Sequence, residues 1–115
     1  MTKPDNTINL LLVDDSADDA EQITSALRNG GIAVRPTRAS NEAELEAALE
    51  QHTPDLILAA LDCKDLKLPQ IRDAATRSGR DIVLIACGRN LSEESVVIAF
   101  RDGARALVFR DSHEH

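Results

Sequence analysis

Ile8-Asn9-Leu10-Leu11-Leu12-Val13-Asp14-Asp15-Ser16 sets a largely apolar run, unbroken from Leu10 to Val13, directly against two acids and a hydroxyl. The run does not alternate polar with apolar, so it reads as a strand covered on both faces, as in a parallel sheet. Ser16 then caps a helix, its hydroxyl accepting from a free amide of the first turn, while Asp18 and Asp19 stand where the helix dipole favours anions. Ala17, Ala20, Ile23 and Leu27 fall on one face of that helix. Asn29-Gly30-Gly31 stops it, because glycine accepts a left-handed backbone.

The same grammar repeats outward. Further apolar runs occur at Ile32-Ala33-Val34, Leu56-Ile57-Leu58-Ala59-Ala60-Leu61, Ile82-Val83-Leu84-Ile85-Ala86-Cys87 and Leu107-Val108-Phe109. A second helix opens on the capping-box pattern Asn41-Glu42-Ala43-Glu44 and turns Leu45, Ala48 and Leu49 inward. A third starts near Pro69, which a first helical turn tolerates, and ends before Gly79. The fourth has Ser92 as cap, Glu93 and Glu94 in its first turn and Gly103 as its stop, although Val96-Val97-Ile98 has strand propensity. Strand and helix alternate through five strands. Right-handed crossovers then cover both sheet faces, giving a doubly wound α/β domain. After the fifth strand, Arg110 to His115 are too few for another helix, and Ser112-His113-Glu114 reads as the first turn of one. The expectation is one domain, residues 1–115, forming the N-terminal part of a longer protein whose last helix is missing or truncated.

Composition narrows the function. The 115 residues suit one domain. Twenty acids against thirteen Lys and Arg give a net charge of −7, which argues against nucleic-acid or anionic-membrane surfaces. Phe100 and Phe109 are the only aromatic residues, so there is no platform for stacking bases. No apolar run approaches the roughly 20 residues of a membrane span, and Met1-Thr2-Lys3-Pro4-Asp5 lacks the order of a signal peptide. Two cysteines are too few for a disulfide framework, so a reduced cytoplasmic protein is expected. Gly30-Gly31 follows a helix, whereas a phosphate-cradling loop must open one.

Open α/β sheets place their sites outside the carboxyl ends of the strands. Those ends carry Asp14-Asp15, Ala60-Leu61-Asp62-Cys63, Ala86-Cys87 and Arg110. The segment Leu10-Leu11-Leu12-Val13-Asp14-Asp15-Ser16, together with Pro54-Asp55-Leu56-Ile57-Leu58 and Gly103-Ala104, resembles a response-regulator receiver domain of the CheY type. The resemblance implies a five-stranded sheet in the order 2-1-3-4-5. It also implies an acidic pair for Mg²⁺, an aspartate phosphoacceptor ending the third strand, a Thr or Ser ending the fourth and a Lys ending the fifth. Metal and cation would neutralise the charge that develops on the phosphoryl group.

Carried over position by position, Asp14 and Asp15 match the acidic pair. The acceptor position falls on Ala60, the hydroxyl position on Ala86, the aromatic switch position on Leu107 and the lysine position on Arg110, with Asp111 where proline usually follows. Alanine has no nucleophilic atom. The pattern implies a degenerate receiver with no enzymatic activity and no cofactor, holding Mg²⁺ at most weakly at Asp14 and Asp15, and with Arg110 pairing to one of them. Such a domain would act by binding a protein or a second copy of itself, on a face drawing on Val97, Phe100, Arg101, Arg105 and Leu107. The third strand and the Leu68-Pro69 step are further similar to the N-terminal receiver-like domains of tandem GGDEF–EAL proteins, which implies a link to cyclic-di-GMP signalling. Two other readings stay open. Asp62, which shares strand parity with Ala60 but lies about 6–7 Å further along, or Asp15, would serve as phosphoacceptor in a phosphorelay. Alternatively, Cys63 and Cys87, following adjacent strands, would make the strand-end pocket a redox or small-ligand sensor.

Overall fold

A computed structural model describes residues 7–110. Its elements are β1 (Ile8–Val13), α1 (Ala17–Asn29), β2 (Val34–Ala39), α2 (Glu42–Gln51), β3 (Leu56–Ala60), α3 (Leu68–Arg77), β4 (Val83–Gly88), α4 (Glu93–Arg101) and β5 (Ala106–Phe109). The strands form one sheet in the order β2-β1-β3-β4-β5, and every pairing is parallel. This is the doubly wound α/β architecture and strand order expected from the sequence.

Strand parity divides the core in two. Leu11, Val13, Ile57, Ala59, Leu84 and Ala86 point to one face, where Leu45, Leu49, Ile71, Ala74 and Ala99 of α2, α3 and α4 cover them. Leu10, Leu12, Leu58 and Cys87 point to the other, where Ala20, Ile23 and Leu27 of α1 pack. α1 departs from its expected face at one end: Ala17 is exposed, and Thr24 is buried instead. The Thr24 hydroxyl donates to the Ala20 carbonyl at 2.9 Å, which satisfies it inside the apolar layer. On this side the far edge of the sheet is thinly covered, and Val83 and Val108 are exposed. The final helix and Ser112-His113-Glu114 lie outside the described residues.

The second strand is displaced from the position the sequence suggested. Ile32 is exposed and its amide closes the end of α1 on the Leu27 carbonyl. The strand begins only at Val34 and runs Val-Arg-Pro-Thr-Arg-Ala. It pairs with β1 alone, so it is an edge, and only its ends, Val34 and Ala39, are buried. An edge tolerates Pro36, which has no N–H to donate.

At α4, local capping outweighs strand propensity. The Ser92 hydroxyl accepts from the Ser95 amide at 3.1 Å, Glu93 and Glu94 fill the first turn, and Val96-Val97-Ile98 is helical. Gly103 then takes a φ of +114°, a left-handed backbone that a side chain strains. None of the described helices is long and apolar enough to cross a membrane.

Candidate functional site

The carboxyl ends of β1, β3, β4 and β5 converge, and the two acids after β1 go separate ways. Asp14 is buried, with 5% of its surface exposed. Its amide donates to the Ala39 carbonyl at 3.1 Å, and its Oδ1 accepts the Ser16 amide at 2.9 Å. Arg38 of β2 donates to the Asp14 carbonyl at 3.0 Å and helps hold this turn. Burial raises the Asp14 pKa above its ordinary 3.8, the charges of Asp19 and Asp62 push the same way, and the Ser16 hydrogen bond and Arg110 oppose them. The folded state therefore holds this proton more tightly than the unfolded chain does. Stability falls as pH rises from about the ordinary value through the raised one, and the cost is fully present at neutral pH. Asp14→Asn, which keeps an acceptor for Ser16, is expected to raise the urea midpoint at pH 7 and to lose that advantage near pH 3.

Asp15 is exposed and turned toward the loop after β3. Its Oδ2 accepts the Lys64 amide at 2.9 Å and its Oδ1 accepts the Cys63 thiol at 3.3 Å. These hydrogen bonds, the Lys64 one first, hold its pKa below the usual value. Asp15 is thus a clasp between two loops.

Ala60 is the last residue of β3 and is half-buried, in register with Cys87; Ala59 is in register with Ala86. A methyl group therefore stands at the strand end. Ala86 is fully buried, and Leu107 packs against the α2–α4 side of the core. Asp62 lies two residues past β3 and is exposed. Its charge reaches Asp14 and Arg89, but no hydrogen bond or ion pair to it is found among the described residues.

Arg110 corrects the expected pairing. It lies 3.8 Å from Asp19 and donates to Gln22 at 3.3 Å, rather than pairing with Asp14 or Asp15. Arg89, which the sequence reading did not single out, joins it by donating to Asp19 at 3.2 Å. That hydrogen bond is the main reason its pKa is raised. One carboxylate in the first turn of α1 thus gathers cations from the ends of both β4 and β5. The available signals were Asp19 one helical turn beyond Asp15, and an arginine three residues past Ala86.

These donors do not fit a divalent cation. Mg²⁺ takes several oxygens in near-octahedral geometry. Both Asp15 oxygens accept internal hydrogen bonds, Asp14 is buried with a raised pKa, and Ala60 contributes no oxygen. Among the described residues no group of three or more His, Cys, Asp or Glu is placed to hold a metal.

The expected neighbourhood of the cysteines is also corrected. Cys63 packs in the α2–α4 side of the core and Cys87 in the α1 side, so the sheet separates them. Both are buried. Burial pushes the Cys87 thiol up to about 11 and raises that of Cys63 as well, whereas redox chemistry needs the thiolate.

On the outer face of α4, Val97 is 58% and Phe100 47% exposed, with Arg101 and Arg105 exposed beside them. Leu107 turns inward, and Phe109, 63% exposed, is the β5 residue that shows its ring to solvent.

No sequence profile of a known family matches the chain, and no curated protein matches it. Solved structures do. A response regulator from Thermotoga maritima superimposes with a TM-score of 0.76 at 20% identity, covering 93% of this chain and 87% of that one. The fold is the receiver fold. The signal receiver domain of a DNA-binding response regulator from Colwellia psychrerythraea gives 0.73 at 19%, covering 90% and 85%. The BeF₃-activated N-terminal receiver domain of Klebsiella pneumoniae RstA gives 0.72 at 17%, covering 91% and 87%. In receiver-fold terms, Asp14 and Asp15 follow the first strand, Ala60 ends the third, Ala86 lies in the fourth and Arg110 follows the fifth.

Proposed function

We propose that this chain is a receiver domain of the response-regulator type that signals by docking, without covalent phosphorylation. The observation that carries the reading is Ala60, a methyl group where a phosphoacceptor oxygen is required, in register with the fourth strand. The surroundings agree. Asp15 is spent on a loop clasp, and Arg89 and Arg110 are gathered on Asp19, an internal anion. The alternative acceptors are less suited. Asp62 is exposed beyond the strand end, and Asp15 already accepts two hydrogen bonds.

The docking surface is the α4–β5 face, where Val97 and Phe100 are exposed beside Arg101 and Arg105. A second copy of the chain is the partner we favour, with a covalently linked output domain receiving the signal. Cyclic-di-GMP turnover is the pathway that the third-strand resemblance suggests for that output. Sedimentation velocity at increasing concentration tests the surface. A concentration-dependent dimer is expected, weakened at least about tenfold by Val97→Glu with Phe100→Glu, in line with truncating a central apolar anchor, and unchanged by acetyl phosphate. A monomer at all concentrations, or a dimer that requires the phosphodonor, would count against it.

A further inference from the structure

A cleft of about 380 Å³ opens between the loop after β3 and the start of α4. Leu61, Leu68, Leu91 and Ile98 make its floor, and Ile98 keeps 41% of its surface exposed. A few hundred Å³ over an apolar floor suits a small molecule. The cleft lies at the carboxyl ends of β3 and β4, where open α/β sheets bind ligands. Gly88 shapes one wall. A Cβ there would come within 2.7 Å of Leu91, so the glycine lets the leucine fold onto the strand end.

The polar groups decide the class of ligand. The rim carries two acids, Asp62 and Asp102, and two cations, Lys67 and Arg89. The Lys67 ammonium donates to a neutral group, the Cys63 carbonyl, at 3.1 Å and keeps its charge. Arg89 pairs with Asp19, but Asp19 is shared with Arg110, so the pairing does not cancel Arg89. The rim therefore has no net charge. A charged visitor would give up hydration over the apolar floor and meet no surplus of the opposite charge, whereas an uncharged one pays no such cost. Ser95 supplies a neutral donor in the wall. Its hydroxyl accepts from that of Ser92 at 3.1 Å, which leaves its own hydrogen for an acceptor. We infer that the cleft binds a small uncharged molecule with an apolar body and a single hydrogen-bond acceptor, the body on the leucine and isoleucine floor and the acceptor toward Ser95. Neither cysteine lines the cleft, so the site does not depend on thiol chemistry, nor does it depend on the docking surface proposed above.

Amide NMR titration of the isotope-labelled chain with acetophenone, phenethylammonium and phenylacetate tests the site, since the three carry the same ring and differ in charge. Acetophenone is expected to give saturating shifts confined to residues 61–69 and 88–102, with a Kd on the order of 1 mM for so small a probe. Both charged analogues should bind at least about tenfold more weakly. Ile98→Lys, at an exposed floor position, should abolish acetophenone binding while leaving distant amides unshifted. Asp62→Asn leaves the rim cations in excess and should strengthen phenylacetate by about threefold, the size of one exposed charge interaction. A charged analogue that binds as tightly as acetophenone, shifts that never saturate or centre elsewhere, Ile98→Lys binding like the parent, or an unchanged phenylacetate affinity in Asp62→Asn would each overturn the inference.

Discussion

Ile57→Ala is expected to lower the free energy of unfolding by about 2–5 kcal/mol, measured by urea titration at neutral pH. Ile57 has no exposed surface and sits in β3, between β1 and β4. Its side chain lies in the larger half of the core, among residues of α2, α3 and α4. Truncation removes the transfer energy of the lost methyl and methylene groups and leaves a cavity that a five-stranded sheet, paired on both sides of β3, has little freedom to close. Against the 5–15 kcal/mol typical of a domain, that is a large share of the total. The same strand carries Ala60, so its rigidity also fixes where the strand-end methyl stands.

Ala60→Asp is expected to destabilise the fold by about 2 kcal/mol at pH 7, the size of a like-charge interaction at short range in a partly buried setting. The new carboxyl would enter a site where Asp14 is already buried with a raised pKa and already feels Asp19 and Asp62. Arg110 and Arg89 are committed to Asp19 and are not free to compensate. Because the introduced acid and Asp14 would both hold protons more tightly folded than unfolded, the penalty should shrink as pH falls toward about 4. Urea midpoints of parent and variant across pH 4–8 check this. A pH-independent difference, or a variant as stable as the parent at pH 7, would show that the site has room for another charge.

Much of the fold was legible because β1 and β3 lie inside the sheet with both faces largely covered and, like β4, read as apolar runs, and because Ser16, Asn41 and Ser92 each cap the helix they precede. β2 was misplaced for the converse reason. As an edge strand it needs apolar residues only at Val34 and Ala39, and its exposed Arg35, Pro36 and Arg38 look like a loop. The placement of Asp14, Ala60 and Ala86 in or just past the strands was legible from the apolar runs, whereas contacts made by side chains that reach across loops were not. Arg110 bypasses the acidic pair for Asp19 on the next helix, and Arg89 converges from a loop that no periodicity describes. Cys87 follows the parity of β4, whereas Cys63 lies three residues past β3, where parity no longer holds, and the two thiols fall on opposite faces.

Intact-mass spectrometry after incubation with acetyl phosphate and Mg²⁺ addresses the missing acceptor most directly. The mass should stay that of the untreated protein, with no lasting phosphoryl adduct at any donor concentration. A stable gain of one phosphoryl group that Asp62→Ala or Asp15→Ala removes would contradict the account.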